Sequence, residues 1–123
     1  MRPTNLTTSI VSLEIVLGAI MTFGGIALTF FATEKILGIV HTGLGLLAFP
    51  IAYAFWTSRS RAWNAILTLN VASIAYSTFS EIIAANLSLL GPDQLQDSLI
   101  GTVVAIMVSI LVITLLLLLR KQE

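Results

Sequence analysis

The sequence predicts an all-helical polytopic membrane protein: a compact antiparallel bundle of four transmembrane helices with both termini cytoplasmic. Three features carry this expectation: four apolar runs of spanning length, a shortage of charge, and the sorting of that charge between alternate connections. The runs cover residues 10–31, 36–56, 63–87 and 99–119. A helix rises about 1.5 Å per residue and the hydrocarbon layer is roughly 30 Å thick, so about 20 residues cross it. The chain is 57% hydrophobic and 10% charged, whereas a soluble domain carries about 25% charged residues. Most of it must then face lipid or other helices, and residues 1–123 read as a single membrane domain.

Each span carries one face of small and polar residues at spacings of three and four, which places them on one side of a helix. The first holds Glu14, Gly18, Thr22, Gly25 and Thr29. It follows a single basic side chain, Arg2, exceeds the length of a signal-peptide apolar core and contains Glu14, so it predicts a retained span rather than a cleaved leader. The second holds Gly38, His41, Gly45, Ala48 and Ala52. Its Pro50 cannot donate to the Leu46 carbonyl, and the Ser73 hydroxyl, level with that carbonyl, is expected to satisfy it. The third holds Asn70, Ser73, Ser77, Ser80 and Ala84, with Glu81 beside the stripe, and the fourth Ser98, Thr102, Ala105 and Ser109. Spans associate through such small faces and interhelical hydrogen bonds, because apolar side chains gain nothing by leaving lipid for one another.

The connections set the orientation. Arg2, Arg59, Arg61, Arg120 and Lys121 fall on one side of a four-span chain; Lys35 falls on the other with Glu34, Asp93 and Asp97. Basic residues in short loops stay cytoplasmic, so the side of the termini is predicted to be inside a cell membrane. Tyr53, Trp56 and Trp63 flank the Arg59 and Arg61 loop, where aromatic rings favour the interface. That basic loop is expected to anchor at the interface, with anionic lipid or a cytoplasmic partner as the alternative. Gly91, Pro92 and Asp93 signal a turn and a helix restart, proline being well placed at a first helical position. Asn86-Leu87-Ser88 matches a glycosylation acceptor, though its closeness to the membrane argues against modification.

Composition also excludes. The net charge is zero, which offers no surface for nucleic acid. The absence of cysteine removes disulfides, iron–sulfur clusters and thiolate zinc sites. One histidine per chain rules out a multi-histidine metal centre, so no metal or other cofactor is expected.

The candidate functional residues are the intramembrane polar groups Glu14, His41, Tyr53, Asn70, Ser73 and Glu81. Acidic side chains are rare within spans and mark pairing or ion pathways. Glu14 has a structural reading, a bond to Tyr53 or a pairing with the Arg59 loop, and a functional one, a proton- or cation-binding carboxylate. Depth matching places His41 within reach of Glu81, either as a contact that sets helix register or as a titrating pair. Asn70 and the serine stripe read as packing groups or as the lining of a solute path.

The six residues Ile51, Ala52, Tyr53, Ala54, Phe55 and Trp56 resemble a segment of the small multidrug resistance transporters. Those are also four-span proteins of about this length, with an essential glutamate in the first span, the position Glu14 would occupy. The likeness covers about one and a half helical turns, falls in the second span rather than the third, and runs into Arg59 and Arg61. The charge bias is also unlike that of the dual-topology members, and no family is assigned from it.

Three functions remain open. The leading expectation is a non-catalytic subunit or scaffold, partnered by the lipid bilayer and by other membrane proteins or further copies of itself. It rests on short loops, small-residue faces and the lack of any nucleophile–base, metal or nucleotide motif. The alternative is a small oligomeric proton-coupled transporter or channel that uses Glu14, Glu81 and His41. The third is an enzyme acting on a lipid-soluble substrate with Glu81 and His41 as acid and base, which requires a cavity between the helices.

Overall fold

The structure is a computed structural model that describes the backbone of residues 5–31, 35–86 and 91–122. Side chains are described there except at Phe31, Arg59, Ser60, Ala84, Gln94 and Gln122. Four helices follow one another: α1 (Asn5–Phe31), α2 (Lys35–Thr57), α3 (Arg59–Asn86) and α4 (Pro92–Gln122). All four are long and apolar enough to cross a membrane, which is compatible with a multi-pass membrane protein. Each exceeds its predicted span because the flanking polar residues continue the helix. Pro92 is the first residue of α4, and its first turn closes through Leu95 N–H to the Gly91 carbonyl at 2.8 Å. The expected connection between the second and third helices shrinks to Ser58, whose amide still bonds the Ala54 carbonyl at 2.7 Å while its own carbonyl accepts from Arg61 and Ala62. Arg2, Glu34, the Arg59 side chain and part of the 86–88 acceptor lie outside the described residues.

The helices form a ring in which each packs on its chain neighbour and α4 closes back onto α1. The diagonal pairs, α1 with α3 and α2 with α4, meet only through side chains reaching across the axis. The interface between α1 and α2 is the most extensive, and glycine is the reason. Gly18 and Gly25 on α1 meet Gly45 and Gly38 on α2, so the two backbones touch. A Cβ on Gly45 would stand 2.5 Å from the Thr22 amide nitrogen and 2.9 Å from the Gly18 carbonyl oxygen; one on Gly38 would run into Thr29 and lie 2.7 Å from the Gly25 carbonyl. Thr29 and Thr42 turn their hydroxyls back to the carbonyls of Gly25 and Gly38, both at 2.8 Å, which keeps polar hydrogens out of the contact.

Burial is inverted relative to a water-soluble bundle. The outer surface carries Phe23, Phe30, Ile36, Phe79 and Met107, whereas Glu14, His41, Asn70, Ser73, Ser77, Ser80, Thr102 and Ser109 lie inside. Apolar packing closes the end that holds the termini, where Ile10, Phe55, Ala62, Ile66, Val112, Leu116 and Leu119 form one cluster. Trp63 locks α3 to α4 there: its Nε1–H donates to the Leu116 carbonyl at 3.1 Å, and the Arg120 guanidinium lies 4.7 Å from the ring centroid. At the far end the Tyr76 hydroxyl donates to the Leu37 carbonyl at 2.9 Å, tying α3 to α2, and Lys35 Nζ donates to the Thr29 carbonyl at 2.8 Å.

The seam makes a graded prediction. Gly45→Val must push two backbones apart and lowers stability by about 1–3 kcal/mol or more, the cost of overpacking. Gly43→Ala, on the same helix, meets nothing within 4 Å and leaves stability unchanged or raised, since alanine favours the helix. Thermal unfolding in detergent compares the two; equal melting of Gly45→Val and the native chain would disprove the seam.

Candidate functional site

The interior polar groups form a line along the bundle axis, and α3 builds most of it. At about 100° per residue, Ile66, Ser73 and Ser77 point to the axis. Tyr76 lies to one side, against α2, and Trp63 and Glu81 lie to the other, against α4. This rotation decides which predicted residues meet.

Glu14 is 0% exposed, and so is Asn70. Asn70 Nδ2 donates to Glu14 Oε2 at 2.8 Å across the diagonal, and also to the Ile66 carbonyl at 2.8 Å. Two acceptors of this pair, Glu14 Oε1 and Asn70 Oδ1, are buried without a partner. The expected bond of Glu14 to Tyr53 is not made. Ala52 is buried on the inner face of α2, and Tyr53, one residue on, is turned about 100° away and stands 70% exposed. Nor does Glu14 reach water at the near end, since the apolar cluster around Ile10 and Ile66 intervenes.

Glu81 turns to α4 rather than to α2. Its Oε2 accepts from Ser98 Oγ at 2.8 Å and from Thr102 Oγ1 at 3.3 Å, and its Oε1 is buried without a partner. Depth matching puts Glu81 about one turn beyond the level of His41 and within its reach, but Glu81 sits about 140° round the helix from Tyr76, and Tyr76 takes the side facing His41. The two rings are 6.0 Å apart and tilted by 56°, a favourable aromatic arrangement. His41 is only 6% exposed and its Nδ1 has no partner. Ser73 lies on the axis as the stripe predicts, but its hydroxyl is also without a partner and does not satisfy the Leu46 carbonyl. Arg61 is exposed at the near end.

Sequence reasoning missed the cavity. A volume of about 390 Å³ opens at the far end between α1, α2 and α4, within the roughly 300–1,000 Å³ of small-molecule sites. Ile20, Gly24, Ala27 and Leu28 supply its α1 wall, His41 its α2 wall, and Asp93, Asp97, Ser98, Gly101 and Thr102 its α4 wall. The signal was present as Gly24, Ala27 and Gly101, small residues on the cavity wall, but it needed the helix rotations to be read. No group of three or more metal-ligating side chains occurs among the described residues. No protein-family model, curated protein or solved structure matches the chain.

The diagonal pair is testable by a double-mutant cycle. Asn70→Leu strands the buried Glu14 carboxyl and costs about 1–3 kcal/mol. Glu14→Met with Asn70→Leu removes both partners at similar volume, and the combined loss falls short of the sum by about 0.5–3 kcal/mol. Denaturant unfolding in mixed micelles measures the cycle; strictly additive losses would refute the contact.

Proposed function

We propose that this chain is a small integral protein of the cell membrane, both termini cytoplasmic, that carries protons along its axis linked to movement of a small polar solute. The supporting observation is the row of partnerless polar atoms inside the bundle: Glu14 Oε1, Asn70 Oδ1, His41 Nδ1, Glu81 Oε1 and the hydroxyls of Thr22, Ser73, Ser77 and Ser109. An unpaired buried polar group costs about 1–3 kcal/mol. A bundle that served only as packing surface would do better with apolar residues at these positions. The row runs from the Glu14–Asn70 pair to the cavity beside His41, so it joins a proton-carrying carboxyl to a solute-sized space.

The cytoplasmic placement of the termini rests on charge. Arg61, Arg120 and Lys121 gather at the near end, and Asp93 and Asp97 at the far end, the bias expected of a membrane protein with that end inside. In this orientation the cavity faces outward and the cluster around Phe55 and Leu116 seals the cytoplasmic side.

A second reading, that the chain is a subunit of a larger assembly or associates with copies of itself, is favoured by one different observation. Asn64 and Thr68 stand exposed in a shallow groove beside Ile51, Ala65 and Ala72 on the outer surface of α2 and α3. Polar side chains facing lipid call for an interhelical partner.

Reconstituted liposomes holding a pH-sensitive dye test the transport reading. A potassium diffusion potential, negative inside, drives proton uptake severalfold faster than in protein-free vesicles, and Glu14→Gln returns the rate to background. Uptake at the background rate by the native protein both without solute and with small polar solutes supplied outside, or an unaltered rate in Glu14→Gln, would overturn the proposal.

A further inference from the structure

The cavity wall has a one-sided chemistry. Its formal charges are the carboxylates of Asp93 and Asp97. Asp93 lies in the first turn of α4, where an acid offsets the positive end of the helix dipole. Asp97 lies beyond that turn, so its charge is left to the cavity. Lys35, the described cation at this end, is turned to the Thr29 carbonyl and does not line the space. Ser98 and Thr102 line it as well, but their hydroxyl protons go to Glu81, which leaves their oxygens as acceptors. His41, 6% exposed, adds its ring to the same wall, with Nε2 toward Gly24, whose Cβ would stand 3.8 Å from it. A neutral imidazole offers one acceptor nitrogen. Opposite these acceptors stand Ile20, Ala27 and Leu28, an apolar surface.

We infer that the cavity binds a small organic ammonium ion, a primary amine in its protonated form with a short apolar chain. The ammonium group brings three donors and one positive charge to a wall of acceptors and carboxylates, and the chain lies on the α1 side. An anion would meet Asp97 with no compensating cation on the wall. A neutral alcohol would gain the apolar contact without the charge-assisted bonds, which are roughly twice as strong as neutral ones. As a statement about the transported solute the inference rests on the transport reading; as a statement about binding it is measured without transport.

The chain contains a single histidine, so its imidazole resonances report on this cavity alone. Protein labelled at histidine, in nanodiscs of neutral lipid, is titrated with n-butylammonium, n-butanol and butyrate. Butylammonium moves the His41 signals saturably, and the other two do not at the same concentrations. Asp97→Asn, at an exposed position, weakens butylammonium binding about tenfold, the ratio for loss of one charge-assisted hydrogen bond. Gly101→Leu abolishes binding by filling the space, and it does so without unfolding the protein because a Cβ there meets nothing within 4 Å. Equal response to butanol, preference for butyrate, or native affinity in either variant would overturn the inference. Glu14-dependent proton uptake without butylammonium binding sinks this inference and spares the transport reading; binding without such uptake does the reverse.

Discussion

Everything in the bundle is hung from the backbone contact between α1 and α2. Glycines seven residues apart on each helix, Gly18 with Gly25 and Gly38 with Gly45, bring main chains to a distance that any side chain would prevent. In lipid this is the available form of adhesion, because van der Waals contact and hydrogen bonding must replace the hydrophobic effect. With that pair fixed, its inner faces define where α3 and α4 sit. Glu14 from one helix and His41 from the other are presented to a shared interior, and α3 brings Asn70 and Tyr76 to meet them.

The same contact explains why space is left at one end and not at the other. Near the termini, large side chains from all four helices converge, and Trp63 is pinned between the Leu116 carbonyl and the Arg120 guanidinium. Towards the far end the lining of the open space includes Gly24 and Ala27 of α1 and Gly101 of α4. There a Cβ on Gly101 meets nothing within 4 Å, whereas one on the seam's Gly38 or Gly45 would run into the facing backbone. The polar line and the cavity are thus two outcomes of one arrangement.

How much of this was legible in the sequence depended on whether a property was local. Span number and the inward faces follow from run length and from three- and four-residue spacing, and the helices and buried residues agree with them; Pro92 as a helix start was equally readable. Partner choice was not. Glu14 meets Asn70 across a diagonal, and neighbour-based depth matching considers only adjacent helices, so it offered Tyr53. Glu81 bonds Ser98 and Thr102 because α3 rotates Tyr76, not the glutamate, toward α2. Depth can be counted along a chain, whereas rotation about the helix axis is set by packing of the whole ring. The Ser73 hydroxyl fails to reach the Leu46 carbonyl for the same reason.

The single-residue break at Ser58 has a mechanical meaning. With Ala54, Ser58, Arg61 and Ala62 already joined by main-chain hydrogen bonds, α2 cannot hinge against α3 without unwinding a turn, and the glycine contact rivets α1 to α2. Main-chain contacts thus join α1, α2 and α3 in series. The fourth packs on both α3 and α1, and side-chain bonds tie it to α3. To move against α3 it must break the Trp63 bond to the Leu116 carbonyl and the Glu81 bonds to Ser98 and Thr102.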